Sequence, residues 1–229
     1  LTEEFGDRVT FDEQNAAGDT ATATTICTNL VSENVDLILA NATPALQSAA
    51  AATNEIPILG TSITEYGVAL EIDNFDGTVG GNISGTSDLA PLDQQADMVV
   101  ELFPDAQEVG ILYCSAEANS KYQADVVQAA LEGKGLSVTI YTFSDTNDVA
   151  SVTGEACNNS DVLYIPTDNT AASCTEAINN VALPAGVPIV AGEEGIMAGC
   201  GVRPSNIEAI ASVSSAPEYH SSCLLQTYP

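Results

Sequence analysis

Tryptophan is missing from this sequence, histidine occurs once, and lysine and arginine together number four. Each scarcity closes off a kind of chemistry. With aromatics at 5% and hydrophobic residues at 45%, a core can form, but it must be packed by Ala, Val, Ile and Leu. A lone His220 cannot build a His-based metal site, and the six cysteines include no CxxC pair. No metal and no cofactor is therefore expected. Four basic residues against 32 acidic ones, a net charge of −28, cannot supply the clustered Lys and Arg that bind nucleic-acid phosphates. No nucleic-acid partner is expected. No apolar run reaches the roughly 20 residues of a membrane-spanning helix. There is no GxxxxGK[ST] phosphate loop, and Gly77-x-x-Gly80-Gly81 is not a GxGxxG fingerprint. No secretory leader is read either, because Leu1 follows no Met and no charged segment; a mature, trimmed or partial form is expected.

Alternating strand and helix signals fill the chain. Val9–Phe11 reads as a strand, with Asp19 or Thr20 capping a helix to about Glu33. Val35–Ala40 and Ile56–Gly60 are short apolar runs of buried-strand type, separated by a helix that Thr43-Pro44 opens. Ile83–Ser87 reads as an extended crossing segment. The pattern then restarts. A helix runs from Pro91 to about Phe103, a strand over Glu108–Tyr113, a helix over Ala118–Glu132 and a strand over Ser137–Phe143. Asp148–Cys157, Thr170–Val181 and the strands Asp161–Ile165 and Val187–Ala191 complete it. Strands and helices at this spacing predict βαβ units with parallel sheets. The expected fold is α/β, with one lobe over 1–87, a second over 88–191, and a return segment with an irregular tail over 192–229.

In open parallel sheets, ligands bind beyond the carboxyl ends of the strands. The residues following each strand are therefore the candidates: Thr43, Ser62 and Thr64 in the first half, and Ser115, Glu117, Asn119, Asp168, Asn169, Glu193 and Glu194 in the second. Hydroxyls at helix N-termini suit a carboxylate, which backbone N–H groups and the helix dipole also favour. Acids from the other half suit an ammonium. Together they make a clamp for a zwitterion such as an amino acid. Plainer roles compete with this one. Thr43, Thr64 and Thr170 could be helix caps, Asp168-Asn169 a capping turn, and Glu193-Glu194 a solvated loop. The cysteines read as buried free thiols, and the enzymatic alternative is a small α/β enzyme, such as a racemase using Cys114 and Cys200 across a cleft.

The same loops carry a family resemblance. Val35–Gln47, Gly80–Asp88, Phe103-Pro-Asp-Ala106 with Gly110–Tyr113 and Ser115–Ser120, Tyr164–Ser173, and Pro188–Gly195 together resemble bacterial ABC-transporter substrate-binding proteins, including the tryptophan and aromatic-amino-acid-binding type. The match runs from about Val9 to Gly199. The resemblance implies two Rossmann-like lobes of periplasmic-binding-protein type I, no catalysis, and an extracytoplasmic receptor serving an ABC permease. It implies membrane attachment only through a lipid anchor outside this chain. By position, Thr43, Ser62 and Thr64 would serve the ligand carboxylate, and Asp168 with Glu193 or Glu194 the amine. Ser115, Glu117, Asn119 and Asn169 would line the second lobe. Family members have a strand and helix before the segment matching Val9, so the first lobe is expected to lack its first strand. A sensor or regulator domain of the same fold is the alternative function.

A charge of −28 repels itself most in the compact state. Adding salt to about 1 M, where the Debye length falls to about 3 Å, is therefore expected to raise the thermal midpoint. A midpoint that falls or stays level in NaCl would contradict this.

Overall fold

The computed structural model of the chain describes Glu4 and residues 6–200. After a short 3-10 turn at Gly6–Arg8, the order is α1 (Thr20–Ser32), β1 (Ile38–Asn41), α2 (Thr43–Ala52), β2 (Ile58–Ile63), α3 (Tyr66–Ala69) and β3 (Ile83–Ser87). There follow α4 (Leu92–Leu102), β4 (Glu108–Cys114), α5 (Ala118–Gly133), β5 (Ser137–Phe143), α6 (Val149–Asn158), β6 (Val162–Ile165), α7 (Asn169–Ser173), α8 (Thr175–Ala185), β7 (Ile189–Ala191) and α9 (Glu194–Cys200). The strands form two all-parallel sheets, ordered β1-β2-β3 and β5-β4-β6-β7. The expected α/β class with two parallel sheets is what the chain adopts.

Several elements follow directly from local chemistry. Asp19 caps α1 by accepting the Thr22 amide at 2.7 Å. Pro44 sits in the first turn of α2, where its missing N–H costs nothing. Gly186, at φ 71°, closes α8 in the left-handed conformation that glycine adopts freely.

Three expectations need correction. Val9–Phe11 is not a strand; both of its apolar residues are exposed and nothing pairs with them. Ile83–Ser87 is a full strand, paired in parallel with β2, so the crossing is left to residues 88–91. The helix expected over Thr170–Val181 breaks at Cys174 into α7 and α8.

Burial differs between the sheets. In the second sheet, alternate residues serve two cores. Leu112, Phe143, Leu163 and Ile189 pack with Val149 and Ile178 on one face. Val109, Ile111, Tyr164 and Val190 pack with Val99 and Val127 on the other. With both faces covered, β4 reads as a continuous apolar run, as parallel strands do. In the first sheet, Ile38, Ala40 and Ile58 face Leu46 and Ala49 of α2. Leu37, Leu39 and Leu59 point the other way and are 48%, 54% and 40% exposed. Beyond β7, α9 sends Ile196 and Cys200 into the second unit's core. The expected tail over 203–229 lies outside the described residues.

One close approach in the first sheet tolerates no side chain. Gly60 and Gly85 are register partners, and the Tyr66 hydroxyl lies over both while donating to the Thr86 carbonyl at 3.3 Å. A Cβ on Gly85 would stand 2.2 Å from both that hydroxyl and the Gly60 carbonyl. Gly85→Ala is expected to cost about 2 kcal/mol or more, read as a lowered urea midpoint. An unchanged midpoint would contradict the packing described.

Candidate ligand-binding cleft

The short helix α3, which follows β2, packs against α5, which follows β4. The exits of β2 and β4 thus lead into helices that touch, and strand exits are where parallel sheets bind ligands.

On the first side the backbone is unusual. Ala42, between β1 and α2, sits at φ 79° and ψ 156°, and Ser62, in the irregular end of β2, at φ 55°. Side-chain-bearing residues rarely occupy such positions, and the strain gathers at functional edges. No side chain caps α2, so its first amides keep their donors. Thr43 is buried in its first turn, Ser62 is exposed, and Thr64 is buried, with its carbonyl accepting the Ser87 hydroxyl at 2.8 Å. Thr43 and Thr64 are therefore not helix caps. The cap of α3 is Glu65, whose carboxylate accepts the Gly67 and Val68 amides at 3.0 and 2.6 Å.

On the second side, Glu117, Asn119, Asp168 and Asn169 converge into one hydrogen-bonded cluster. Glu117 is 5% exposed and spans to α7. One oxygen takes the Asn169 amide and side-chain nitrogen at 3.0 and 2.7 Å; the other takes the Thr170 amide and hydroxyl at 2.8 and 2.7 Å. Asp168 is 1% exposed and accepts the Cys114 and Ala171 amides, both at 2.7 Å. The capping-turn role thus holds for Asp168. The Thr167 carbonyl takes Asn119 Nδ2 at 3.1 Å and Gln123 Nε2 at 3.0 Å, while the Thr167 amide donates to Gln123 Oε1 at 3.2 Å. These bonds weld the β4 and β6 exits together. Ser115 is exposed beside them, its hydroxyl bonded to the Phe143 carbonyl at 3.2 Å.

The remaining acids stand on the neighbouring β7 exit. Glu193 is turned back onto α9, accepting the Gly195 and Ile196 amides, and Glu194 is exposed. Sequence reasoning passed over Glu65, Gln95 and Gln123. The available signal for the glutamines was a polar residue set in an apolar helical stripe, Gln95 between Leu92 and Val99 and Gln123 before Val127.

Among the described residues no group of three or more His, Cys, Asp or Glu could hold a metal ion. Among these residues, too, no helix is long and apolar enough to cross a membrane. His220 lies outside the described residues. Cys27, Cys114, Cys157, Cys174 and Cys200 are free, and all but Cys174 are buried. Cys114 and Cys200 share one core instead of facing across the crevice, which removes the racemase arrangement. Burial, with Glu193 adding to it, pushes the Cys200 thiol up to about 12, and burial raises Cys114 as well, so neither is a ready thiolate. A cavity of about 70 Å³ lies beside Tyr66, Phe75 and Ile83, within the first unit.

Asp168 is pushed up to about 6, by burial first and by Glu117 second. Its unfolded value is near 3.8. Between the two, the folded state holds a proton that the unfolded state releases. Its contribution is therefore complete below about pH 4 and is lost as pH rises through about 6. Asp168→Asn removes the titration and leaves one backbone amide facing an NH2. The stability gap between wild type and variant is expected to narrow, by on the order of 2 kcal/mol, between about pH 4 and pH 7. Denaturation curves at both pH values test this, and a constant gap would contradict it.

With this geometry in place, comparison with known proteins is informative. The family described as ABC transporter substrate binding protein matches residues 2–205. A tyrosine-binding protein of Clostridioides difficile (strain R20291) is 35% identical over 202 residues. That alignment takes in 86% of this chain, which spans 58% of the relative's length. A Streptococcus pneumonia ABC domain solved in complex with L-Trp superposes with a TM-score of 0.81 at 32% identity, covering 86% of this chain and 67% of that one. The ligand-free, open structure of a substrate-binding protein with adhesive properties from Clostridium difficile gives 0.55, with 32% identity and 86% and 68% coverage.

Proposed function

This chain belongs to the ABC transporter substrate-binding proteins, with two Rossmann-like lobes of periplasmic-binding-protein type, and we propose that it captures an amino acid, an aromatic one, in the crevice between them. The observation that carries this is the contact of α3 with α5, the helices that follow β2 and β4, which supports a crevice shared by the strand exits of both lobes. The superposition supports it: identity and coverage being equal, the fit is closer to the L-Trp complex than to the open, ligand-free structure. The names of the tyrosine- and tryptophan-bound relatives support the aromatic side chain.

The chemistry follows from the two edges. The ligand carboxylate meets the uncapped first turn of α2, with Thr43, Ser62 and Thr64 around it. No basic side chain is needed, which suits a chain with four. The ammonium turns to the second lobe, where Asp168 and Glu117 lie buried and Glu193 and Glu194 flank the next exit. The oxygens of Asp168 and Glu117 are already bonded to backbone amides, so they act through their field and their remaining lone pairs, with Glu194 the exposed acid. Ser115, Asn119 and Asn169 line the same edge. Delivery to an ABC permease, an extracytoplasmic site and a lipid anchor belong to the same reading.

Binding to the folded state alone stabilises it by about 2.7 kcal/mol at 100 times Kd. L-tyrosine or L-tryptophan is thus expected to raise the thermal midpoint by several degrees, and Glu194→Gln to weaken that binding about tenfold. No response to any of the twenty amino acids would sink the reading.

A further inference from the structure

Gln95 is a polar side chain with no exposure at all, on the first helix after the inter-lobe crossing. Both ends of its amide are committed. The hydroxyl of Tyr164, itself fully buried on β6, donates to Gln95 Oε1. Gln95 Nε2 donates to the Gly192 carbonyl at 3.1 Å, across 97 residues of sequence. Gly192 is held from its other side too, its amide donating to the Ile165 carbonyl at 2.7 Å. It packs so closely on the β6 exit that a Cβ there would stand 3.0 Å from the Thr167 amide. Glu193 and Glu194 leave the sheet at this residue.

We propose that Gln95 is a positioning residue, which ties the helix entering the second lobe to the β7 exit and so sets where Glu193 and Glu194 stand in the ligand crevice. The inference rests on the binding reading above and goes beyond it. It assigns a role to a side chain that lies on α4 and has no place among the strand exits. The physical reason is the cost of a buried amide. In a packed interior its donor and acceptor are kept only where partners meet both, and an apolar residue would fill the stripe between Leu92 and Val99 as well. What the amide adds is directionality: it fixes the Gly192 carbonyl relative to Tyr164, and the following two residues with it. Burial also keeps the Tyr164 phenol protonated and therefore a donor. Because α4 follows residues 88–91 directly, the same bond connects the crossing between lobes to the acid-bearing edge.

The test uses the full chain, with L-tyrosine and L-tryptophan as probes. The double variant Gln95→Leu/Tyr164→Phe removes the relay while leaving few orphaned polar atoms. It is compared with Ile178→Val, a core change elsewhere in the same lobe. The expected result is a Kd raised about tenfold or more in the double variant, with faster amide exchange at Gly195 and Ile196 and unchanged exchange in β4 and β5. The Ile178→Val protein should bind as wild type does. If the double variant does not fold, Tyr164→Phe alone carries the test, with a smaller loss in the same direction and the same local exchange signature. Wild-type affinity and exchange in whichever of the two folds would overturn the inference. A wild-type protein that responds to none of the twenty amino acids would instead overturn the binding reading, so the two failures are distinct.

Discussion

The strand-exit edge of the second lobe hangs on one carboxylate, Glu117. Glu117 leaves the β4 exit and reaches across to α7, where it satisfies two backbone amides, a side-chain amide and a hydroxyl on Asn169 and Thr170. Free amides at the start of a helix need acceptors, and a buried carboxylate needs donors. Each meets the other's need here, and the loops after β4 and β6 are fixed as a consequence. Asp168 repeats the arrangement in the opposite direction, receiving the last amide of β4 as well as that of Ala171. Burying an acid is costly and a second acid nearby adds to the cost; the raised titration of Asp168 records both, burial first.

This wiring explains how so acidic a chain can hold its strand exits in place. Carboxylates at strand exits serve mainly as acceptors for backbone N–H groups: Glu65 on α3, Glu117 and Asp168 on α7, Glu193 on α9. The loops become rigid without lysine or arginine partners. Lys121 and Lys134 do form ion pairs, with Asp125 and Asp97, but both lie toward the surface.

The first lobe is built differently. One face of its sheet packs on α2; the other leaves Leu37, Leu39 and Leu59 exposed. That is why β1 and β2 alternate in burial where β4 and β6 do not. Its crevice edge is shaped by backbone, at Ala42 and Ser62, more than by side-chain networks.

Much of this was legible in the sequence. Apolar runs bounded by Thr-Pro, Gly and Asp signals gave the strands and helices their positions, because capping and burial periodicity act over a few residues. The same local signals brought Thr43, Thr64, Glu117, Asp168 and Glu193 to strand exits, since in a parallel α/β sheet every exit lies on one edge. Local signals misled where tertiary pairing decides: Val9–Phe11 has strand composition but no neighbour, and Ile83–Ser87 becomes a strand only because β2 lies beside it. Tertiary structure alone decided the roles of individual groups. Glu117 stands where a cap of α5 would stand, yet its oxygens serve α7, 52 residues on. Gln95 carries no local sign of meeting Gly192. Hydrogen bonds between residues far apart in sequence depend on how helices seat against a sheet, and that seating is a property of the packed whole.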